Sequence, residues 1–231
     1  VSKVCPLPKS QDKSAINNYR SVAILNNFAK VLEVVLYNRI YLSAKNHIAI
    51  DQHGFMKCRS TVSNLAIFSQ HLCQNLDGRG QVDAVYTDFS KAFDKVSHYI
   101  LLSKLLDLSF NDNYIMLLES YLTNRKQYVF YNGFQSFTYI PTSGVPQGSN
   151  LGPLLFLLFV NDLCEALTCK KLMFADDLKL YATIVSESYC LALQFQINLL
   201  YDWCTKNRLY LNTNKCKVIT AQQNVGNGHH P

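Results

Sequence analysis

The sequence predicts an α+β domain in which an antiparallel sheet packs on helices. Apolar residues recur at helical spacing in several segments, and other segments are short aromatic and β-branched runs. These helical and extended segments follow one another without the strand–helix–strand rhythm of a parallel sheet. The chain has 231 residues, of which 48% are hydrophobic and 16% charged. It is therefore long enough to bury a large core, and its composition excludes a disordered protein.

Helices are predicted through most of the N-terminal half. The apolar spacing that starts with Phe28, Val31 and Leu32 predicts an amphipathic helix over 27–45. Similar patterns predict three further helices, over 61–76, 98–107 and 111–122.

Directly after these helices the apolar residues no longer recur at helical spacing. Two aromatic-rich runs, 127–131 and 135–140, flank Asn132 and Gly133, and Asn-Gly is typical of a two-residue hairpin turn. Beyond Pro153 the sequence predicts an apolar helix and then a second hairpin. The last predicted elements are a helix over 187–206 and a strand or two to about 220.

Two adjacent aspartates lie at the tip of the second hairpin. Asp176 and Asp177 separate the apolar runs 172–175 and 178–181. Like charges side by side repel each other, and a divalent cation removes that repulsion. Mg²⁺ binds carboxylate oxygens together with substrate phosphates, so the pair suits a phosphate-handling metal site. Taken alone, the pair is explained equally well by ordinary turn chemistry.

A third aspartate changes that balance. The run 81–89 has the composition of a strand and contains Asp88 near its end, ahead of the helix-favouring segment 90–95. An aspartate at the end of a buried strand is costly unless it is paired or bound to metal. Asp88 precedes Asp176 by 88 positions (176 − 88), so only the fold can bring them together. With Asp177 they would hold two Mg²⁺ ions, or Mn²⁺ in their place, for in-line attack on a phosphorus.

Charge and cysteine content set further bounds. Lys and Arg outnumber Asp and Glu by six (22 − 16), which is compatible with a polyanionic partner. The eight cysteines contain no CxxC pair, and no histidine lies near Cys164 and Cys169, so we expect reduced thiols in an intracellular protein. The apolar run 154–160 is too short for a membrane span and no signal peptide is visible, so no membrane partner is expected.

The two ends of the chain have the character of arbitrary cuts. The chain begins at Val1 without an initiator methionine, and it ends in a tail with little apolar pattern. We therefore expect a piece of a longer protein, with a disordered tail over 221–231. No pattern in the sequence indicates an oligomeric state.

Five sequence blocks occur in a specific order along residues 4 to 220. They read NYRSVAIL at 18–25, QHGFMKCRST at 52–61, DFSKAFD at 88–94, SGVPQGS at 143–149 and FADD at 174–177. Each block alone is a weak signal, but the ordered set is very specific. The chain resembles the reverse transcriptase domain of a non-LTR (LINE-type) retrotransposon, and it is most similar to the jockey-like insect elements.

The resemblance implies a right-hand polymerase fold without a thumb, and because the thumb would hold much of the primer–template duplex, this piece alone is expected to be only weakly active. Fingers are expected over 1–80, with further strands from part of 120–145, and a palm with the catalytic site over 81–220. In that palm Asp88, Asp176 and Asp177 match the three metal-binding aspartates, which are also catalytic. The lysine that lies near the leaving pyrophosphate in this family matches Lys215.

Substrate-binding residues are implied in the same way. Phe93 matches the aromatic that packs beneath the sugar and excludes a 2′-hydroxyl, with core packing as the alternative. Gln147 and Gly148 match a loop that lies against the incoming nucleotide and template, where glycine allows close backbone approach. A simple turn is the alternative for this loop.

Three basic residues complete the implied site. Arg20 and Lys9 resemble the residues that hold the nucleotide triphosphate, because arginine makes forked phosphate contacts and lysine supplies a point charge. Arg59 matches a nucleic-acid-binding position along the template path. A solvated surface charge is the alternative for each. Two other residues depart from the family: Cys58 replaces glycine and Ser21 replaces proline.

The implied function is RNA-directed DNA polymerase activity. Such an enzyme adds dNTPs to a DNA primer on an RNA template, and it works in the cytoplasm and nucleus within a retrotransposon ribonucleoprotein. An RNA-dependent RNA polymerase is one alternative, since Asp88 and Asp94 mimic its paired acids; Phe93 and the alanine before the aspartate pair oppose it. The other alternative is an inactive or domesticated RNA-binding remnant, which the intact aspartates oppose.

Overall fold

The computed structural model describes residues 1–223 and divides the chain into two compact units. Neither unit is continuous in sequence. The first unit comprises 1–48, 91–162 and 207–209, and the second comprises 49–90, 163–206 and the segment from 210. Both helices and sheets are present, so the predicted α+β class is confirmed.

The elements follow this order along the chain: β1 (Ser2–Pro8), β2 (Tyr19–Ile24), α1 (Asn27–Ala44), α2 (Thr61–Asp77), β3 (Gln81–Thr87), α3 (Ala92–Lys95), α4 (His98–Asp107), α5 (Asp112–Thr123), β4 (Gln127–Tyr131), β5 (Phe134–Gln135), α6 (Leu151–Ala166), β6 (Lys170–Phe174), β7 (Asp177–Ile184), α7 (Glu187–Asn207) and β8 (Lys217–Gln222). The five helices predicted with both bounds match α1, α2, α4, α5 and α7 to within one residue at each end. In residues 1–223, no helix has the length and apolar character needed to cross a membrane.

The first unit contains a mixed sheet in the order β2-β1-β4-β5. β1 is antiparallel to β2 and parallel to β4. The sequence pattern did not predict β1, because Pro6 and Pro8 interrupt it. In the structure only Ser2 to Val4 pair with β4, so neither proline has to donate a backbone hydrogen bond to that strand.

The second unit contains an antiparallel sheet in the order β6-β7-β3-β8. Helix α2 packs on it through Phe68, which is buried with Ala84, Leu172 and Tyr181. The ring centroids of Phe68 and Tyr181 are 5.1 Å apart. Ser60 begins this helix with a capping box, which satisfies amide groups that the first turn leaves open. The resulting core holds the strands that carry the candidate site.

The apolar face predicted for α1 is buried at Ile40 but exposed over the first turns of the helix, which corrects the prediction there. Phe28 is 90% exposed, and Val31 and Leu32 are also exposed. Glu33 lies on the buried side instead, where its carboxylate accepts hydrogen bonds from the Tyr121 hydroxyl (2.6 Å) and the Asn150 amide (2.7 Å). These two hydrogen bonds to its carboxylate offset the cost of burying Glu33.

The predicted hairpins are present, with shorter strands at the first. Asn132 and Gly133 both have positive φ, as a two-residue type I′ turn requires, but β5 ends at Gln135 rather than near 140. At the C-terminus, Ala221 and Gln222 belong to β8. The rest of the expected disordered tail, from 224 on, lies outside the described residues.

Candidate active site

The pairing of β3 with β7 brings two predicted site residues side by side. Thr87 pairs with Leu178 in an antiparallel register. Asp88, directly after β3, therefore lies opposite Asp177, the first residue of β7. Residues that face each other in such a ladder have Cβ atoms about 4.5–5.5 Å apart. The fold thus joins aspartates that are far apart in the sequence.

Asp176 lies at the tip of the neighbouring turn. Phe174 pairs with Asp177, so Ala175 and Asp176 form a two-residue connection between β6 and β7. Ala175 has a φ of +58° and Asp176 does not have positive φ, which is the pattern of a type II′ turn. Asp176 is half-buried and Asp177 is exposed. All three predicted carboxylates consequently lie at one end of the antiparallel sheet.

The charges at this end interact. The pKa of Asp177 is raised by partial burial and by the nearby charge of Asp88. The positive charge of Lys215 offsets part of this rise. Within residues 1–223, no three His, Cys, Asp or Glu side chains converge closely enough to hold a metal ion. Each of the three aspartates offers only carboxylate oxygens, which are the ligands that hard divalent cations prefer.

A loop near the C-terminus supplies a cation to Asp88. Lys215 Nζ lies 3.1 Å from Asp88 Oδ2, and the lysine side chain is 65% exposed whereas that of Asp88 is 20% exposed. Asn212 donates from its side chain to the same oxygen at 3.3 Å, and its backbone amide donates to the Asp88 carbonyl at 2.7 Å. Lys215 was among the predicted site residues. Asn212 belongs to the same sequence block, 211–217, but had no predicted role, because asparagine in a loop is ordinary turn chemistry.

Arg59 holds the loop that precedes α2. Its Nη1 donates to the carbonyl oxygens of Ala49 (3.0 Å) and Gln52 (2.6 Å), and the residue is half-buried. Nη1 of the guanidinium is therefore already used in hydrogen bonds that stabilise the loop. Contact with the template remains a prediction for the rest of the group.

Cys58, where the family usually has glycine, has a φ of +61°. This left-handed conformation is the one that glycine adopts without steric cost, whereas a residue with a Cβ is strained there. The departure from the family is therefore located at a position whose backbone favours glycine.

Phe93 lies in the first unit, on the short helix α3. Its ring stacks on that of Phe156, with centroids 4.5 Å apart and an interplanar angle of 24°. Its carbonyl accepts a hydrogen bond from the amide of Val145 at 2.8 Å. Phe156 is fully buried while Phe93 is half-buried, so the ring of Phe93 is supported from beneath.

The Gln147 side chain is held by an aspartate. Its Nε2 donates to Asp94 Oδ1 at 2.9 Å, and the Ser21 hydroxyl donates to the same oxygen at 3.1 Å. A proline at position 21 would lack this hydroxyl. Asp94 belongs to the sequence block 88–94, but the sequence did not predict that it orients Gln147.

The backbone conformation at position 148 and the nearby strand β2 both require glycine there. It has a φ of +97°, and a Cβ added there would lie 2.9 Å from the carbonyl oxygen of Ala23. The Ala23 amide in turn donates to the Gln147 carbonyl at 2.8 Å. The close backbone approach seen here is thus to β2.

Two predicted phosphate-binding residues lie at the loop end of the β1–β2 hairpin, beside the connection that joins the two strands. Arg20 pairs with Leu7 in that hairpin, and Lys9 directly follows β1, where its amide donates to the Asn18 carbonyl at 2.7 Å. Both residues are exposed. The hairpin therefore presents two cations to solvent.

A small cavity of about 180 Å³ adjoins this part of the first unit, and Ser21, Asp94, Gln147 and Arg125 are among its lining residues. Nε and Nη1 of Arg125 are buried without a hydrogen-bond partner among residues 1–223. Burial lowers the pKa of this guanidinium. No sequence pattern distinguished Arg125 from other basic residues.

Solved structures share this fold. An apo telomerase from Candida tropicalis, truncated from its C-terminal domain, superposes with a TM-score of 0.66 at 13% identity, covering 98% of this chain and 51% of that one. A telomerase from Candida albicans in complex with a telomeric RNA fragment gives 0.64 at 15% identity, covering 94% of this chain and 41% of that one. At such identities the likeness shows the fold alone.

Sequence relatives are more specific. A probable RNA-directed DNA polymerase from transposon BS of Drosophila melanogaster is 32% identical over 86% of this chain and 23% of its own length. The RNA-directed DNA polymerase from mobile element jockey of Drosophila funebris is 28% identical over 89% of this chain and 24% of its own length. The chain thus spans about a quarter of these relatives. The family model described as reverse transcriptase (RNA-dependent DNA polymerase) matches residues 7–227. The chain therefore belongs to the reverse transcriptase family, as a domain of the non-LTR retrotransposon type.

Proposed function

We propose that this chain is the polymerase domain of an RNA-directed DNA polymerase, which adds dNTPs to a DNA primer along an RNA template. The observation that carries the proposal is the placement of Asp88 opposite Asp177, with Asp176 at the adjoining turn. Relatives that bear the name RNA-directed DNA polymerase support it. Family membership also weighs against the RNA-dependent RNA polymerase alternative.

The three aspartates would hold divalent cations, either two Mg²⁺ ions or Mn²⁺. Their carboxylate oxygens suit a hard cation. Burial and, after it, the nearby charge of Asp88 raise the pKa of Asp177, and a bound cation would relieve the repulsion between these two carboxylates. When bound, two such ions lower the pKa of an attacking hydroxyl and stabilise a leaving pyrophosphate. The sheet pairing restrains the positions of Asp88 and Asp177, and the turn restrains Asp176.

Lys215 is proposed to assist the leaving group. Its ammonium lies 3.1 Å from Asp88 Oδ2, yet most of the side chain is exposed to solvent. It can therefore neutralise Asp88 before substrate binds and then offer charge or a proton to the pyrophosphate. Asn212 keeps its hydrogen bond to the same carboxylate oxygen.

Residues of the first unit are proposed to select and hold the nucleotide. Phe93, supported by Phe156, would limit space at the 2′ position of the sugar. Gln147 and Gly148 would contact the nucleotide and template, with the amide of Gln147 oriented by Asp94.

Basic residues are proposed to contact phosphates. The exposed Arg20 and Lys9 would bind the triphosphate, while Arg59 would contact the template. In this proposal the fingers and palm together work inside the cell, within a ribonucleoprotein in the cytoplasm and nucleus.

The test is Mg²⁺-dependent primer extension on an RNA template by the full native reading frame that contains this chain, and by its Asp176→Asn variant. We expect extension to fall by about a thousandfold or more, while thermal stability stays unchanged or rises because one of several repelling charges is removed. The exposed Asp202 provides the control variant Asp202→Asn, which should extend primers normally. Extension by Asp176→Asn within tenfold of the parent would contradict the proposal. RNA binding without any extension by a parent protein that carries the full native reading frame would identify an inactive remnant.

A further inference from the structure

A buried glutamine holds the turn that carries the aspartate pair. Gln52 is only 2% exposed. Its Oε1 accepts hydrogen bonds from the backbone amides of Gly54 (2.8 Å) and Ala175 (3.0 Å), and its Nε2 donates to the Ala175 carbonyl at 3.3 Å. One side chain thus satisfies both polar backbone groups of the residue before Asp176.

The backbone around Gln52 is fitted against the same hairpin. His53 donates its amide to the Met173 carbonyl at 2.8 Å, and the Met173 amide donates to the Asp51 carbonyl at 2.9 Å. A Cβ at Gly54 would lie 2.1 Å from the Ala175 nitrogen. Only glycine therefore permits this approach, which lets the Gln52 amide reach the turn.

The turn needs such support because of its own conformation. Ala175 has a φ of +58°, which strains a residue with a Cβ. A strained conformation persists only when its surroundings hold it in place. Asp176 and Asp177 directly follow Ala175, so rotation of this peptide would turn their carboxylates away from Asp88.

We propose that Gln52 is a positioning residue for metal binding, which clamps Ala175 so that Asp176 and Asp177 present their carboxylates in the orientation that divalent cations require. It touches neither substrate nor metal and acts through the turn. This inference rests on the proposed function to the extent that the aspartates bind the cation.

The second unit offers a matched control in Gln196, which is also buried. Its Oε1 accepts from the amides of Thr168 (2.8 Å) and Cys169 (3.3 Å), and its Nε2 donates to Thr168 Oγ1 at 3.0 Å. Each glutamine therefore makes three hydrogen bonds, and the two side chains hold loops at opposite ends of β6. Only the loop held by Gln52 adjoins the aspartates.

The experiment compares Gln52→Met with Gln196→Met in this chain. Mn²⁺ binding is followed by electron paramagnetic resonance, with a variant carrying both Asp176→Asn and Asp177→Asn as background. Mutation of a side chain that orients metal ligands typically weakens metal affinity by about 10–100-fold. We expect Gln52→Met to weaken Mn²⁺ binding by about tenfold or more and Gln196→Met to leave it unchanged, although both should lower the melting temperature.

Backbone amide exchange gives a second readout. Exchange at Ala175, Asp176 and Asp177 should accelerate in Gln52→Met and stay at the parent rate in Gln196→Met. If Gln52→Met does not fold, the shorter amides Gln52→Asn and Gln196→Asn are compared in the same way, because asparagine cannot reach both groups of the turn. Mn²⁺ binding should again be weakened more by the substitution at Gln52 than by the substitution at Gln196.

The outcomes separate this inference from the proposed function. Mn²⁺ binding by Gln52→Met at parental affinity, or equal weakening by both glutamine variants, would overturn the positioning role and leave the proposed function intact. Parent binding no stronger than the double-aspartate background would instead refute the metal site itself.

Discussion

Lys215 Nζ lies 3.1 Å from Asp88 Oδ2, so the ammonium of one predicted site residue neutralises the carboxylate of another. The lysine side chain is mostly exposed, and an ion pair of that kind contributes only about 0–1 kcal/mol to folding. The pair is therefore weakly held, and Lys215 is free to exchange Asp88 for another anion.

Replacement of Lys215 by methionine should reduce activity without unfolding the protein. General acid catalysis typically contributes about 10²–10⁴-fold, so we expect primer extension to fall by about a hundredfold. Lys215→Arg should retain more activity because it keeps the charge. Lys217→Met, at an exposed position of β8, serves as the control. Equal rates for Lys215→Met and Lys217→Met would show that the ion pair has no catalytic use.

Phe93→Val should change sugar selection and stability together. The smaller side chain opens space for a 2′-hydroxyl and raises incorporation of ribonucleotides relative to deoxyribonucleotides. It also loses the stacking on Phe156, and such aromatic pairs contribute about 0.5–1.5 kcal/mol beyond their buried area. Competition assays with paired rNTP and dNTP measure the ratio. Phe110→Val, at a buried position, should lower stability alone. An unchanged ratio in folded Phe93→Val would leave Phe93 as a core residue.

Asp94→Ala should weaken nucleotide binding through Gln147. Loss of the acceptor frees the Gln147 amide, and one hydrogen bond of about 1.4 kcal/mol corresponds to a tenfold change in binding. We therefore expect the KM for dNTP to rise about tenfold with a smaller change in kcat. Ser21→Ala removes only the other hydrogen bond to Asp94 and should have a smaller effect. Matching KM values for the two variants would argue against the orienting role.

Cys58→Gly should stabilise the protein. A left-handed residue with a Cβ costs roughly 1–2 kcal/mol, part of which glycine offsets by its greater flexibility in the unfolded chain. A gain of about 1 kcal/mol raises the melting temperature by about 2–4 °C in a domain of this size. Cys73→Gly is the control, since Cys73 is exposed within α2, where glycine is unfavourable. A lower melting temperature for Cys58→Gly would show that the positive φ is not a source of strain.

Local features of the fold were predictable because neighbouring residues decide them. Apolar spacing located five helices to within a residue at each end, and the dipeptide of Asn132 and Gly133 located a hairpin turn. β1 escaped prediction because its prolines argue against a strand, and only its pairing with β2 and β4 shows where they are tolerated. The predicted buried face of α1 was wrong over the first turns of the helix, where Glu33 finds partners that lie 88 and 117 positions away.

The sequence by itself determined the family and singled out the candidate carboxylates, because the ordered blocks place particular residue types at particular positions. Only the tertiary structure decided which groups support them. The register of β3 against β7 sets Asp88 opposite Asp177, and register depends on pairing across the whole sheet. Hydrogen bonds such as that from Gln52 to Ala175 join residues 123 positions apart. A buried amide is selected by the groups that it meets after folding, and residue type alone does not indicate those groups.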